Sequence, residues 1–206
     1  MLYHLSEICR EVRIALRQNA QSHSLADIGD IDTLMLDELI ASKVEEASRQ
    51  VLVEAPLGDL EEGLPFDAEV VWQRMPAHRW GYVLLPDNYL RLVCFRMSDW
   101  NRAATIITQD DPRYRWQQSR FPGICGNPQN PIAVEVTYPI GRVLEFYSCG
   151  LESCAHVTHA RYIPIPHLHP DDKTIHLPRR VYARMIERIV TSPPLSPLRG
   201  RTELLQ

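Results

Sequence analysis

Residues 81–104 read "GYVLLPDNYLRLVCFRMSDWNRAA". An apolar run stops at Leu85-Pro86-Asp87, restarts at Tyr89 and ends at Trp100. Proline fixes its own φ, and Asp87 and Asn88 favour a turn. The flanking residues are β-branched, aromatic or long and apolar, so the stretch predicts strand, turn, strand. Leu90, Leu92 and Cys94 share one strand face and, with Phe95, are the burial candidates. Arg91, Phe95 and Trp100 belong to residue types enriched at protein interfaces. They are alternative candidates for contact with a neighbouring molecule.

The same chemistry extends on both sides. "EVVWQRM" (69–75) predicts a strand before the opening stretch. "IAVEVTY" (132–138) and "RVLEFYS" (142–148) alternate and are joined by Pro139-Ile140-Gly141, a hairpin signal. "THARYIPIP" (158–166) is a strand interrupted by prolines, which places it on a sheet edge. Residues 110–131 open with a turn, allow a short helix near 112–119 and end in a Gly/Pro/Asn-rich loop.

Helical spacing appears only towards the two ends. Leu5, Ile8, Cys9, Val12 and Leu16 recur on one face of a helix over 4–18. Leu36, Ile40, Val44, Ala47 and Val51 do so in a second helix, with Asp30, Asp32 and Thr33 as candidate caps and an end near Val53. "EAPLGDLEEGLP" (54–65) cannot continue it. A last helix begins at Pro178, carries Val181, Tyr182, Met185, Ile186 and Ile189 inward, and stops at Ser192-Pro193-Pro194. Lone helices of this length are marginal in water, so the three should pack on one another. The expected fold class is α+β, a small antiparallel helical bundle with an inserted β-rich subdomain and an extended C-terminal tail. The boundaries are 1–68 for the two N-terminal helices, 69–170 for the insertion, 171–192 for the C-terminal helix and 193–206 for the tail.

The 206 residues are 45% hydrophobic and 23% charged, in the range of an ordinary globular domain. No apolar run reaches the roughly 18–20 residues of a bilayer span. "MLYHLSEICREVRIALRQ" mixes acids and arginines into its apolar pattern, unlike a signal peptide. Five cysteines at irregular spacing predict reduced thiols rather than a disulfide framework. The net charge of −4 is unevenly laid out: −10 over 1–69, +1 over 70–172 and +5 over 173–206. Twenty of the 22 basic residues are arginine, suited to desolvated, bidentate contacts. An acidic end and a basic end can complement a partner or a second copy.

Motifs for chemistry are sparse. Phosphate loops, dinucleotide glycine patterns, nucleophile elbows and zincin helices are absent from the sequence. Cys149, Cys154, His156 and His159, followed by His167, His169 and His176, supply zinc-type ligands, but the pairs are C-x4-C and H-x2-H, outside finger and ribbon spacing. A zinc- or thiol-dependent protein using 149–176 is the alternative function. Cys125 lies among turn glycines, and the acid pairs Glu61-Glu62, Asp110-Asp111 and Asp171-Asp172 diverge as sequence neighbours. Arg179, Arg180, Arg184 and Arg188 lie near one face of the last helix. The acidic chain favours protein contact over a phosphate footprint for them.

"LLPDNYLRLVCFRMSDWNRAA" (84–104) resembles a segment of the head-to-tail connector proteins of tailed bacteriophages. These are ring-forming adaptor, or tail accessory, proteins below the portal, of short-tailed or crAss-like type. The shared pattern opens a strand with LP-x-(D/N)-(F/Y)-L-R-L and places a tryptophan near its end. Here these are Leu85, Pro86, Asn88, Tyr89, Leu90, Arg91, Leu92 and Trp100. "DDPRYRWQQSRFPGICGNPQNPIAVEV" (110–136) and "VLEFYS" (143–148) are similar to the same family, so the likeness spans roughly a third of the chain. The histidine-rich loop and the five cysteines have no counterpart in that pattern.

The resemblance implies a virion structural protein with no enzymatic activity, cofactor or metal. It implies a homo-oligomeric, dodecameric ring in the neck of the virion, assembled in the host cytoplasm without a membrane. DNA would pass through its channel without sequence-specific binding. The implied partners are the portal protein above and tail or ring proteins below. Such adaptors are gripped through C-terminal segments, which makes Leu195, Leu198, Leu204 and Leu205 the expected apolar anchors on the portal and Arg199 and Arg201 the charged contacts. Arg179, Arg180, Arg184, Arg188, Arg91 and Trp100 are the expected subunit–subunit contacts.

Overall fold

The computed structural model describes residues 1–19, 30–60, 62–74, 79–117, 119, 121, 125–149 and 155–192. The chain divides into two compact units, one formed by residues 1–61 and 165 onward, the other by residues 62–164. The sequence places the corresponding breaks after 68 and 170. They fall earlier because a strand at 64–65 already belongs to the second unit and the histidine-rich turn belongs to the first.

In the first unit, β1 (Leu2–His4) pairs antiparallel with β10 (Thr174–His176). Helices α1 (Leu5–Asn19), α2 (Asp30–Glu54) and α3 (Arg179–Thr191) complete it. Ile8, Cys9 and Val12 of α1 are buried, as are Ile40, Val44, Ala47 and Val51 of α2 and Val181, Met185 and Ile189 of α3. The Ser48 hydroxyl donates to the Met185 thioether across α2 and α3 at 3.0 Å. The Tyr3 ring of β1 stacks on Tyr182 of α3 with centroids 3.8 Å apart. Pro178 caps α3 in an extended conformation, one position before the N1 site expected from sequence.

The second unit holds two sheets. One has the order β3-β4-β8-β7-β6, built from β3 (Val71–Arg74), β4 (Arg79–Leu84), β6 (Thr105–Thr108), β7 (Ile132–Tyr138) and β8 (Gly141–Cys149). The other has the order β2-β9-β5, built from β2 (Leu64–Pro65), β5 (Tyr89–Met97) and β9 (Val157–Pro164). Residues of both sheets share one core: Val83, Leu144 and Phe146 from the first, Tyr89, Leu92, Phe95 and Tyr162 from the second. Trp100 closes it, edge-on to Phe146 at 5.7 Å. Gly81 lies opposite Phe146, where a Cβ would come 3.0 Å from the phenyl ring, so a side chain there would press the ring out of place.

These observations correct the expected fold class. The described residues are β-rich, with ten strands in three sheets and three helices, and do not form a small helical bundle carrying a β insertion. Even the helical unit contains a sheet, since β1 and β10 pair across almost the whole sequence. The strand-turn-strand at 81–104 is also not a hairpin. Pro86 carries the chain from β4 in one sheet to β5 in the other. Strand β9 is not on an edge either: β2 and β5 flank it, and its proline, Pro164, stands at its last position.

Burial along β5 has a period of three, not two: Tyr89, Leu92 and Phe95 point inward, while Leu90 and Cys94 are half-buried. The pairing with β9 shifts register between Tyr89 and Arg91, between Leu92 and Cys94 and between Arg96 and Met97. Each extra residue in a bulge reverses the alternation, and repeated bulges turn a two-residue period into three. The hairpin β7–β8 forms with Tyr138 opposite Gly141, whose φ of +127° suits glycine. Strand β6 lies parallel to β7. Parallel neighbours need a long crossover, and residues 109–131 supply it.

Candidate interaction surface

The arginine row of α3 follows from helical spacing, with Arg180, Arg184 and Arg188 four residues apart on one face. Asp59, in a 3-10 turn after α2, accepts from Arg180 at 2.7 Å and Arg184 at 3.0 Å. The hydrogen bond from Arg180, with the nearby guanidinium charges, holds the Asp59 carboxyl below its ordinary pKa. Arg188 donates to Gln50 at 3.1 Å and pairs with Glu54. Three of the four α3 arginines expected at a subunit contact therefore meet acceptors of their own unit. Arg179 is exposed in the first turn of α3.

Trp100 corrects its expected role. It is 1% exposed, and its indole N–H donates to the Ser148 carbonyl at 3.2 Å. A side chain this deep supports the core and does not reach a neighbour. Arg91 is half-buried on β5, opposite Ile163 of β9. The six expected portal contacts, Leu195, Leu198, Arg199, Arg201, Leu204 and Leu205, lie outside the described residues.

The cysteine and histidine positions fall in both units. Cys149 is buried at the end of β8, His156 and His159 are exposed in or beside β9, and Cys154 lies outside the described residues. His167, His169 and His176 belong to the other unit. His167 and His169 have ring centroids 6.5 Å apart, and His169 lies 3.8 Å from Asp172. Among the described residues, no group of three histidine, cysteine or acidic side chains is placed to hold a metal ion. Cys9 is a buried thiol pushed up to about 11 by burial and by Asp37 beside it, unlike a reactive thiolate.

One cluster was not anticipated. Glu145, in the middle of β8, is 1% exposed. Its carboxyl oxygens accept from Tyr147 at 3.0 Å, from Tyr114 at 3.3 Å and from Tyr138. Tyr138 lies on β7, and Tyr114 on the 3-10 turn Pro112–Trp116 within the crossover. Burial first, then the neighbouring Glu145, pushes the Tyr114 and Tyr138 hydroxyls up in pKa. Trp80 and Tyr82 flank the cluster, Trp80 stacked on Tyr147 and Tyr82 edge-on to Tyr138. The one available sequence signal was the acid inside "VLEFYS", since a charged residue in a strand buried on both faces demands partners.

The crossover is tied down at further points. Asp111 caps its 3-10 turn by accepting from the Arg113 amide at 2.9 Å, and it pairs with the Arg113 guanidinium at 2.7 Å. Gln117 is 1% exposed, donates to the Arg113 carbonyl and accepts from the Gly126 amide, both at 3.0 Å. Gly126 itself is required there, because a Cβ would come within 2.4 Å of the Ser148 hydroxyl. Outward, the same segment presents Trp116 at 51% and Phe121 at 63% exposure. No helix among the described residues is long and apolar enough to cross a membrane. No family model matches the chain, and no curated protein matches its sequence.

Proposed function

We propose that this chain is a structural virion protein, a head-to-tail adaptor that forms a ring below the portal and joins it to the tail around the DNA channel. The observation that supports it is where the resembling segment sits. Leu85, Tyr89, Leu92 and Trp100 are interior residues of the β-rich unit. Half of the shared pattern is made of core residues, and such positions mark a shared scaffold, whereas a pattern of exposed polar residues would mark a shared chemistry. The uneven charge, acidic over 1–69 and basic over 173–206, suits a ring, because heterologous contacts need two different patches on each subunit.

The portal contact is assigned to residues 195–206, where four leucines flank two arginines and no helical period exists. The test mixes the purified chain with its phage's portal protein and images the product. Rings or decorated portals are expected for the full chain. A version lacking 195–206 should keep its circular dichroism spectrum and lose portal binding. Undecorated portals with the full chain, or undiminished binding by the shortened one, would overturn the assignment.

A further inference from the structure

Among the described phenylalanines, tryptophans and tyrosines, Trp116 and Phe121 are the two that are exposed. Trp116 lies between two anchored residues: Tyr114, which donates to the nearly inaccessible Glu145, and Gln117, itself 1% exposed and bonded to the Arg113 carbonyl. Backbone turns continue the fastening: Ser119 N–H donates to the Trp116 carbonyl at 3.0 Å, and Phe121 N–H to the Ser119 hydroxyl at 3.2 Å. Tryptophan and arginine are the residue types that most often dominate binding energy. Within the turn, Arg113 is neutralised by Asp111, which leaves exposed Arg115 as its outward charge.

The complementary surface is on α2. Glu38, Ser42, Glu45, Glu46, Arg49 and Val53 are exposed along one helical stripe. It is acidic, and it ends in an apolar side chain that is 50% exposed. We infer that the exposed side chains Arg115, Trp116 and Phe121 form a contact that docks on the acidic outer stripe of α2 in a second copy of the chain. The two surfaces differ, so the contact is head-to-tail and propagates from copy to copy until it closes. Charge selects the partner: Arg115 meets Glu46, and Trp116 and Phe121 cover the apolar end at Val53.

This names the subunit contact of the proposed ring and rests on that reading for its closure, though not for its chemistry. The experiment compares the full chain with three variants by sedimentation and by imaging on the portal. Trp116→Ser with Phe121→Ser should weaken self-association at least about tenfold while leaving the fold unchanged, since both side chains are exposed. Arg115→Glu should weaken it less, and adding Glu46→Arg, about two turns of α2 from Val53, should restore it, a rescue that a merely structural role would not produce. Rings on the portal that are identical for wild type and variants would overturn the inference and leave the adaptor reading standing. Self-association through the loop without portal binding would support the inference and overturn the adaptor reading. A wild-type chain that stays monomeric with and without portal, or a loop that captures duplex DNA and not a second copy, would overturn the inference.

Discussion

The two faces of β8 solve the same burial problem in opposite ways. Towards the second sheet, Leu144 and Phe146 enter an apolar core with Phe95, Trp100 and Tyr89. Towards the crossover, Val143, Glu145 and Tyr147 sit under Tyr114, Tyr138 and Tyr82. The first face is held by area and ring packing, which are non-directional and tolerate bulges such as those of β5. The second depends on hydrogen bonds that must all be made, because an unmet buried donor or acceptor is costly. One strand therefore anchors a sheet pair on one side and aims a loop on the other. Packing suits the first task, and directional bonds suit the second.

The largest expected effect comes from emptying the apolar face. Phe146→Ala removes a ring that meets Trp72, Phe95 and Trp100. It should cost about 3–5 kcal/mol in urea unfolding. A loss below about 1 kcal/mol would mean the core relaxes to fill the space. Glu145→Leu tests the other face. It keeps an apolar body but leaves the hydroxyls of Tyr114, Tyr138 and Tyr147 without their acceptor, for a loss of about 2–3 kcal/mol. Its distinguishing mark is local: hydrogen exchange at the amides of Tyr114 and Gln117 should speed up more than at those of β5. Equal acceleration in both places would erase the contrast between the faces.

The smallest effect is in alkaline titration. Tyr114 and Tyr138 keep their protons in the folded state above the pH at which an unfolded tyrosine loses its own, about 10. Their raised pKa values stabilise the fold fully below that pH. As pH rises beyond it, the unfolded chain releases protons that the folded chain retains, and stability falls. The double variant Tyr114→Phe with Tyr138→Phe should flatten this fall between roughly pH 10 and 12. An unchanged slope would assign the alkaline loss to other groups, Tyr89 first, whose hydroxyl bonds Glu135 beneath the Arg142 guanidinium.

Local chemistry made much of this protein legible in its sequence. The apolar spacing of α1, α2 and α3 names their buried residues, and Pro139–Gly141 names the β7–β8 hairpin, because both signals lie within a few residues of chain. Leu92 and Phe95 read correctly as burial candidates, although the alternation that suggested Leu90 and Cys94 did not hold. The α3 arginines were found by spacing, but their partners Asp59, Gln50 and Glu54 lie more than a hundred residues away. The strands β1 and β10, three residues each, carry no period of their own and exist because they pair with each other. The path of Pro86 between sheets, the bulges of β5 and the parallel seat of β6 depend in the same way on distant partners. So does the Glu145 cluster, which needs tyrosines from three separate elements. Composition and period determine which side chains seek burial, since that preference belongs to each residue. Which strand sits beside which, and which buried acid finds its donors, was decided only when the chain closed on itself, because pairing and hydrogen bonding are properties of two partners at once.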